Sequence, residues 1–209
     1  MGITLLYGTG NPAKLASMRE YLKTTGVTLL GLKDMPSEPP EVCESGNSPL
    51  DNARIKALAY FRHYGIPTFS CDSGLYIRQL PDELQPGVCV RNIGGKRLTD
   101  DEMTEYYSGL AKKYGRLTAR YHNAICLVLS ETEIYEQMGG KISGNSFYIT
   151  DRPHPKKIEG YPLDRISLDT RTGKYFYDMT PEDFLLEESS GSGFRDFITY
   201  ALNIKENLQ

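Results

Sequence analysis

The chain has 209 residues, with 24 Lys or Arg against 27 Asp or Glu, a formal charge of −3 and no basic block. Binding to duplex DNA or RNA needs a concentrated cationic face to displace counterions, so this balance argues against a nucleic-acid partner. No apolar run reaches the roughly 18 to 20 residues that cross a bilayer, and Met1-Gly2-Ile3-Thr4 does not open a basic-then-apolar leader, so the chain reads as soluble and cytoplasmic with no membrane partner. Cys43, Cys71, Cys89 and Cys126 form no CxxC pair and read as reduced thiols. His63, His122 and His154 lack metal-ligand spacing, which disfavours a zinc enzyme.

In chain order, Thr4 to Tyr7 reads as a short strand that Gly8-Thr9-Gly10 interrupts before Asn11-Pro12 opens a helix. Asn is a favoured N-cap and Pro a favoured first helical residue, so the helix is expected from Pro12 to about Thr24, with Gly26 closing it. Leu29 to Leu32 is a second strand candidate, and the prolines of Pro36 to Glu41 make a loop. Ser48-Pro49 starts a second helix, with Asp51 spaced to bond back to its start and Leu50, Ala53, Ala57 and Phe61 on one face until Gly65. Thr68 to Cys71 reads as a buried strand that delivers Asp72-Ser73-Gly74 to a turn. Leu75 to Leu80 and a Pro86-Gly87 loop then lead to a third helix, Asp100 to Tyr114, with Thr99 and Glu102 in capping-box spacing.

The second half changes character. Leu117 to Leu129 is one long strand candidate, and Ile134 to Met138 and Lys141 to Ser143 suggest antiparallel partners. Asp151 to Asp164 is an irregular loop, Ile166 to Tyr177 a hairpin around Arg171-Thr172-Gly173, and Phe194 to Asn203 a closing helix. This order predicts an α/β fold with a mixed sheet and a β-rich portion, in one domain over residues 1–209.

Three constellations carry candidate chemistry. Thr9-Gly10-Asn11-Pro12-Ala13-Lys14 puts free backbone N–H groups at a helix start with a Lys one turn in, which favours a bound phosphate. It lacks the Walker spacing, and a capped turn with a solvated Lys explains the same residues. Glu44 and Asp72, both followed by Ser or Ser-Gly, are two carboxylates able to share a Mg²⁺, although an Asp in a turn is more often a cap. Asn52 and Lys56 lie four apart on the second helix, where Lys56 either reaches a phosphate or belongs to a solvated face.

Taken together and in this order, the motifs resemble the inosine-triphosphate pyrophosphatase family. They are the Thr9-Gly10-Asn11 turn with Lys14, Glu44-x-Gly46, Asn52-Ala53-x-x-Lys56-Ala57, Asp72-Ser73-Gly74-Leu75 and Pro86-Gly87-Val88, with weaker similarity through Ala119 to Leu129 and Gly140 to Gly144. The resemblance implies an elongated mixed β-sheet flanked by helices, two lobes with a central cleft, and a homodimer. It implies hydrolysis of non-standard purine nucleoside triphosphates (ITP, dITP, XTP) to monophosphate and pyrophosphate. Thr9, Gly10, Asn11, Lys14, Asn52, Lys56 and Ser73 would contact substrate, Glu44 and Asp72 would hold Mg²⁺, and Asp72 would be the general base.

The sequence departs from the family pattern in several places, among them the Lys that usually precedes the C-terminal motif, where Phe184-Leu185-Leu186 stands. Cys71 stands where a second acid is usual, which removes a negative charge beside the metal. The aromatic loop that packs on the base is reduced to Gly160-Tyr161-Pro162-Leu163-Asp164-Arg165, leaving Tyr161 and Asp164 as its counterparts. The family Ser-His-Arg becomes Ser192-Gly193-Phe194-Arg195, so Arg195 alone remains to donate to a purine carbonyl. These departures keep two alternatives open: a nucleotide-binding module with weak or lost catalysis, and a pyrophosphatase for a different base.

Overall fold

The computed structural model describes residues 3–185 and 190–203. Its nine strands are β1 (Thr4–Tyr7), β2 (Thr28–Gly31), β3 (Thr68–Ile77), β4 (Asn92–Ile93), β5 (Lys96–Arg97), β6 (Leu117–Val128), β7 (Ile134–Met138), β8 (Phe147–Ile149) and β9 (Ser167–Asp169). The helices are α1 (Pro12–Leu22), α2 (Pro49–Tyr64), α3 (Asp100–Tyr114), α4 (Pro181–Leu185) and α5 (Ser190–Ala201). Seven strands form one mixed sheet in the order β2-β1-β3-β6-β8-β9, with β7 also paired to β6. The chain divides into two compact units: Met1–Ser73 with Asn123–Ser143 and Ser189–Gln209, and Gly74–His122 with Gly144–Glu188.

In the first unit β1 runs parallel to β2 and β3, while β7 pairs antiparallel with β6. Side chains alternate across a strand, and here both faces are covered. Leu5, Tyr7, Phe69, Cys71, Ile125 and Leu127 pack with Met18 and Leu22 of α1 and with Phe194, Phe197 and Ile198 of α5. On the opposite face Ala124, Cys126 and Val128 pack with Ala53 and Ala57 of α2, and Leu6 with Tyr60. Helices on both faces explain why Thr4 to Tyr7 and Ala124 to Val128 read as nearly continuous apolar runs.

Helix boundaries follow local chemistry. Asn11 accepts from the N–H groups of Ala13 and Lys14, Ser48 and Asp51 close a capping box, and Thr99 and Glu102 close another. Gly65 ends α2 in the left-handed region at φ +69°. The first helix stops at Leu22, about one residue short of the expectation once its cap at Lys23 is counted.

In the second unit β8 pairs antiparallel with β6 and β9, and Leu75, Ile77, Met103, Tyr107, Leu117, Phe147, Ile149 and Ile166 make the core under α3. A small hairpin that the sequence reading did not single out, β4 with β5, turns through Gly94 and Gly95, both at positive φ, as a two-residue turn requires.

Three expectations need correction. Asp72-Ser73-Gly74 is not a turn but the middle of β3, which continues to Ile77 because Leu75 exchanges backbone hydrogen bonds with Gly87. Lys141 to Ser143 is not a strand: Gly139 and Gly140 both take positive φ and start a 3-10 turn, which Asn123 closes by bonding the Ile142 carbonyl and the Ser143 hydroxyl. The hairpin at Ile166 to Tyr177 reduces to β9 and a single bridge from Leu168 to Tyr175.

Two glycines separate close packing from helix propensity. A Cβ on Gly109, in α3, would meet open space, so Gly109→Ala is expected to stabilise by about 0.5–1 kcal/mol. A Cβ on Gly193, in α5, would sit 2.3 Å from the Lys141 carbonyl oxygen, backbone that cannot swing away. Gly193→Ala is therefore expected to destabilise by about 1–3 kcal/mol despite the same propensity gain. Urea denaturation of both variants checks this, and a stabilised Gly193→Ala would refute the close approach.

Candidate active site

The second helix is the scaffold of the candidate site. Asn52 and Lys56, one helical turn apart, both reach Asp72 on β3. Lys56 Nζ lies 3.1 Å from Asp72 Oδ1 and 2.8 Å from Glu44 Oε2, so a single ammonium holds two carboxylates. Asn52 Nδ2 donates to Asp72 Oδ2 at 3.2 Å, while Asn52 Oδ1 accepts the Gly46 N–H at 2.8 Å. Asn52 is buried, and the Lys56 and Asp72 side chains are 12% and 15% exposed against 46% for Glu44. Lys56 and Asp72 thus form a sheltered pair, and Glu44 is its solvent-facing edge.

Burial alone would lower the Lys56 pKa, but the charges and hydrogen bonds of Asp72 and Glu44 outweigh it and hold the ammonium above its usual range. The group stays cationic at neutral pH. Gly46 is required by contact: a Cβ there would lie 2.5 Å from Asp51 Cβ and 2.7 Å from Asn52 Oδ1. Its motif was visible in Glu44-x-Gly46, but the tight approach to α2 that gives it a reason was not.

Cys71, one residue before Asp72, points to the other face of the sheet and lies in the core with Tyr7 and Phe69. Burial pushes its thiol up to about 12, so it is a neutral group. The missing acid therefore does not take a partner from the carboxylate–lysine cluster.

The turn after β1 differs from the expectation of free amides. Thr9 Oγ1 accepts the Asn11 N–H at 3.2 Å, Asn11 Oδ1 accepts from Ala13 at 2.9 Å and Lys14 at 3.3 Å, and the Asn11 carbonyl accepts from Leu15. Asn11 is too good a cap to leave those donors open. What the turn presents outward is Gly10, which is exposed, and Lys14, which makes no ion pair among the described residues. Gly8 lies against Ser70 and Tyr60, where a Cβ would sit 2.3 Å from Ser70 Oγ, and Ser70 Oγ donates to the Gly8 carbonyl at 3.0 Å. Ser70 and Tyr60 support this turn, and nothing in their sequence context marks them.

Ser73 follows Asp72 on β3 and is half-buried. Arg195 lies on α5 with its guanidinium 3.7 Å from Asp196. Tyr161 and Asp164 belong to the second unit, Asp164 in a short 3-10 turn at Pro162–Ile166 and Tyr161 as the residue that caps it. Burial pushes the Asp164 carboxyl up to about 6.

Two carboxylates with hard oxygen donors around one cation suit a Mg²⁺-type ion, which takes one or two carboxylates and completes its shell with water and phosphate. Among the described residues no group of three or more His, Cys, Asp or Glu converges. The chemistry of Glu44 and Asp72 therefore fits the metal that the resemblance implies. Among the described residues no helix is long and apolar enough to cross a membrane.

The fold and this cluster define a mixed-sheet α/β protein with a sheltered lysine between two carboxylates at a strand–helix contact. The model of the Ham1 family matches residues 5–184, and the chain belongs to that family, which bears out the resemblance to the inosine-triphosphate pyrophosphatases. It is 31% identical over 198 residues to a dITP/XTP pyrophosphatase of Thermus thermophilus, covering 93% of this chain and 89% of that one. A HAM1 protein from Coxiella burnetii has the same fold, with TM-score 0.76 at 22% identity over 95% of this chain and 99% of the other. A nucleoside-triphosphatase / dITP/XTP pyrophosphatase from Mycobacterium abscessus superposes with TM-score 0.63 at 26% identity, covering 97% and 99%.

The Asp164 carboxyl has a folded pKa above its ordinary 3.8, so the native state binds more protons than the unfolded chain between about pH 4 and 6. Its contribution to stability is accordingly lost as pH rises through that window. Asp164→Asn is expected to match the wild type at pH 4 and to melt at a higher temperature by pH 7. A melting difference that does not change with pH would show that burial does not perturb this group.

Proposed function

We propose that the chain hydrolyses non-standard purine nucleoside triphosphates, ITP, dITP and XTP, to the monophosphate and pyrophosphate. The observation that carries the reading is the cluster in which Lys56 bridges Glu44 and Asp72; family membership and the relatives' named activity support it. Glu44 and Asp72 would hold Mg²⁺, which when bound neutralises triphosphate charge and makes a bound water more acidic. Asp72 accepts the proton of the attacking water as its oxygen bonds to the α-phosphorus. The bond from that phosphorus to the bridging oxygen breaks, and pyrophosphate leaves. Asn52, anchored by Gly46, orients the Asp72 carboxylate, and Lys56 supplies a cation to the phosphates with Thr9, Gly10, Asn11 and Lys14. Ser73 contacts substrate, and Tyr161, Asp164 and Arg195 are assigned to the base by the resemblance.

The same proposal includes a single domain, a homodimer and a cytoplasmic setting. In support of the single domain, β3 and β6 each run through both compact units. A second reading, a nucleotide-binding protein with weak turnover, is favoured by Ser192-Gly193-Phe194-Arg195, which has no His where the family Ser-His-Arg carries one.

Pyrophosphate release from ITP, dITP, XTP, GTP, ATP, dUTP and CTP with Mg²⁺ tests the proposal. Selective turnover of ITP, dITP and XTP is expected, lost on chelation and restored by Mg²⁺. Asp72→Asn is expected to lower kcat by about 10² to 10⁴-fold while nucleotide binding persists. Binding without turnover in the wild type would instead establish the second reading, and preferred turnover of a pyrimidine triphosphate would reassign the base.

A further inference from the structure

We infer that Asp100 is a positioning residue for Tyr161, acting on selection of the base and not on cleavage of the anhydride. The inference rests on the pyrophosphatase reading only for the ligand that Tyr161 meets. Asp100 is the first residue of α3, and each oxygen of its carboxylate has its own partner. Oδ1 lies 2.7 Å from Arg91 Nη2, and Oδ2 accepts the Gly160 N–H at 3.0 Å. Thr104, four residues on and therefore on the same helix face, is buried, and its hydroxyl lies 3.1 Å from the Pro162 carbonyl oxygen and 3.0 Å from that of Asp100. The residues immediately before and after Tyr161 are thus both tied to the start of α3.

The next residue along strengthens the same attachment. Asp101 pairs with Lys157 at 2.5 Å and with Arg165 at 3.4 Å, one on each side of the loop. Gly160 sits at φ +85°, a conformation that side-chain-bearing residues rarely adopt, so the approach into Tyr161 is also fixed by backbone geometry.

Against this pinned backbone, the Tyr161 side chain makes no ring or side-chain hydrogen-bond contact among the described residues. The residue is half-buried, its ring stacks on no other ring and its hydroxyl has no hydrogen-bond partner among the described residues. A loop anchored only for stability has no need to leave its aromatic residue without contacts of this kind. An aromatic ring with its backbone ordered in advance loses little further entropy when a flat, polarisable ligand stacks on it. A purine base is such a ligand, and Asp100 keeps the platform in place for it.

The test compares wild type, Asp100→Ala, Tyr161→Ala, the double variant, Thr104→Val and Thr104→Ser. The readouts are the dissociation constant for IMP, which carries the base and needs no turnover, and kcat and KM for ITP. Asp100→Ala is expected to weaken IMP binding and raise KM by about tenfold, the scale of one lost charge-assisted hydrogen bond, with kcat little changed. It should add nothing further in the Tyr161→Ala background. Thr104→Val should move the same way, and Thr104→Ser, which keeps the hydroxyl, should behave as wild type.

If Asp100→Ala does not melt cooperatively, the Thr104 pair decides. An Asp100 effect undiminished without Tyr161, a fall in kcat at constant KM, or unchanged IMP affinity would overturn the inference, as would a wild type that does not bind IMP. A wild type that binds IMP and releases no pyrophosphate would refute the pyrophosphatase reading, and the IMP affinities would still judge Asp100.

Discussion

One ammonium group organises the candidate site. Asp72 on β3 and Glu44 in the loop before α2 would repel each other at close range if left alone, and Lys56 between them removes that repulsion. Taking the Lys56–Asp72 pair largely out of water costs several kcal/mol per ion, a cost that mutual attraction and added hydrogen bonds only offset. Apolar residues of the same size would stabilise the fold at least as well. The arrangement is therefore better explained by what charges can do to a polyanionic substrate than by stability. Asn52 completes it, because a carboxylate already bonded on one oxygen to Lys56 and on the other to an amide is held in a single orientation.

Strand alternation decides which neighbours of Asp72 matter. Ser70 and Asp72 face α2, whereas Phe69 and Cys71 face the core shared with α1 and α5. A second acid lost at position 71 looks, in one dimension, like a charge removed from beside a metal ligand. In the folded chain the side chain at 71 is on the opposite side of the sheet, in apolar surroundings where a neutral thiol fits. The side chain at this position therefore belongs to the core face of the sheet and not to the face that carries Asp72.

The turn after β1 shows the converse, a familiar pattern whose physical content changed on folding. Asn11 is a strong cap because its side chain takes the first amides of α1, and in doing so it removes the donors that a phosphate would use. Anion attraction at this helix start then falls to the Gly10 backbone, the Lys14 charge and the helix dipole. Tyr161 follows another logic, since its backbone is pinned from α3 while its ring and hydroxyl remain available.

By itself the sequence determined the local elements and the identity of the chemical groups. Caps at Asn11, Ser48 and Thr99, the left-handed Gly65 and the 3.6-residue spacing of Leu50, Ala53, Ala57 and Phe61 act within a few residues, so their outcome was legible. The spacing of Asn52 and Lys56 on one helix face was legible for the same reason. Only the tertiary structure decided that Asp72 lies inside a strand, because that depends on Leu75 pairing with Gly87, which lies beyond the reach of local propensity. It likewise decided that Lys141 to Ser143 coils, since Asn123 closes that turn from a different strand. The bridge of Lys56 to both carboxylates and the hold of Asp100 on the Tyr161 loop join residues distant in the chain. Their partners are set by which faces pack together, and that is a property of the folded chain.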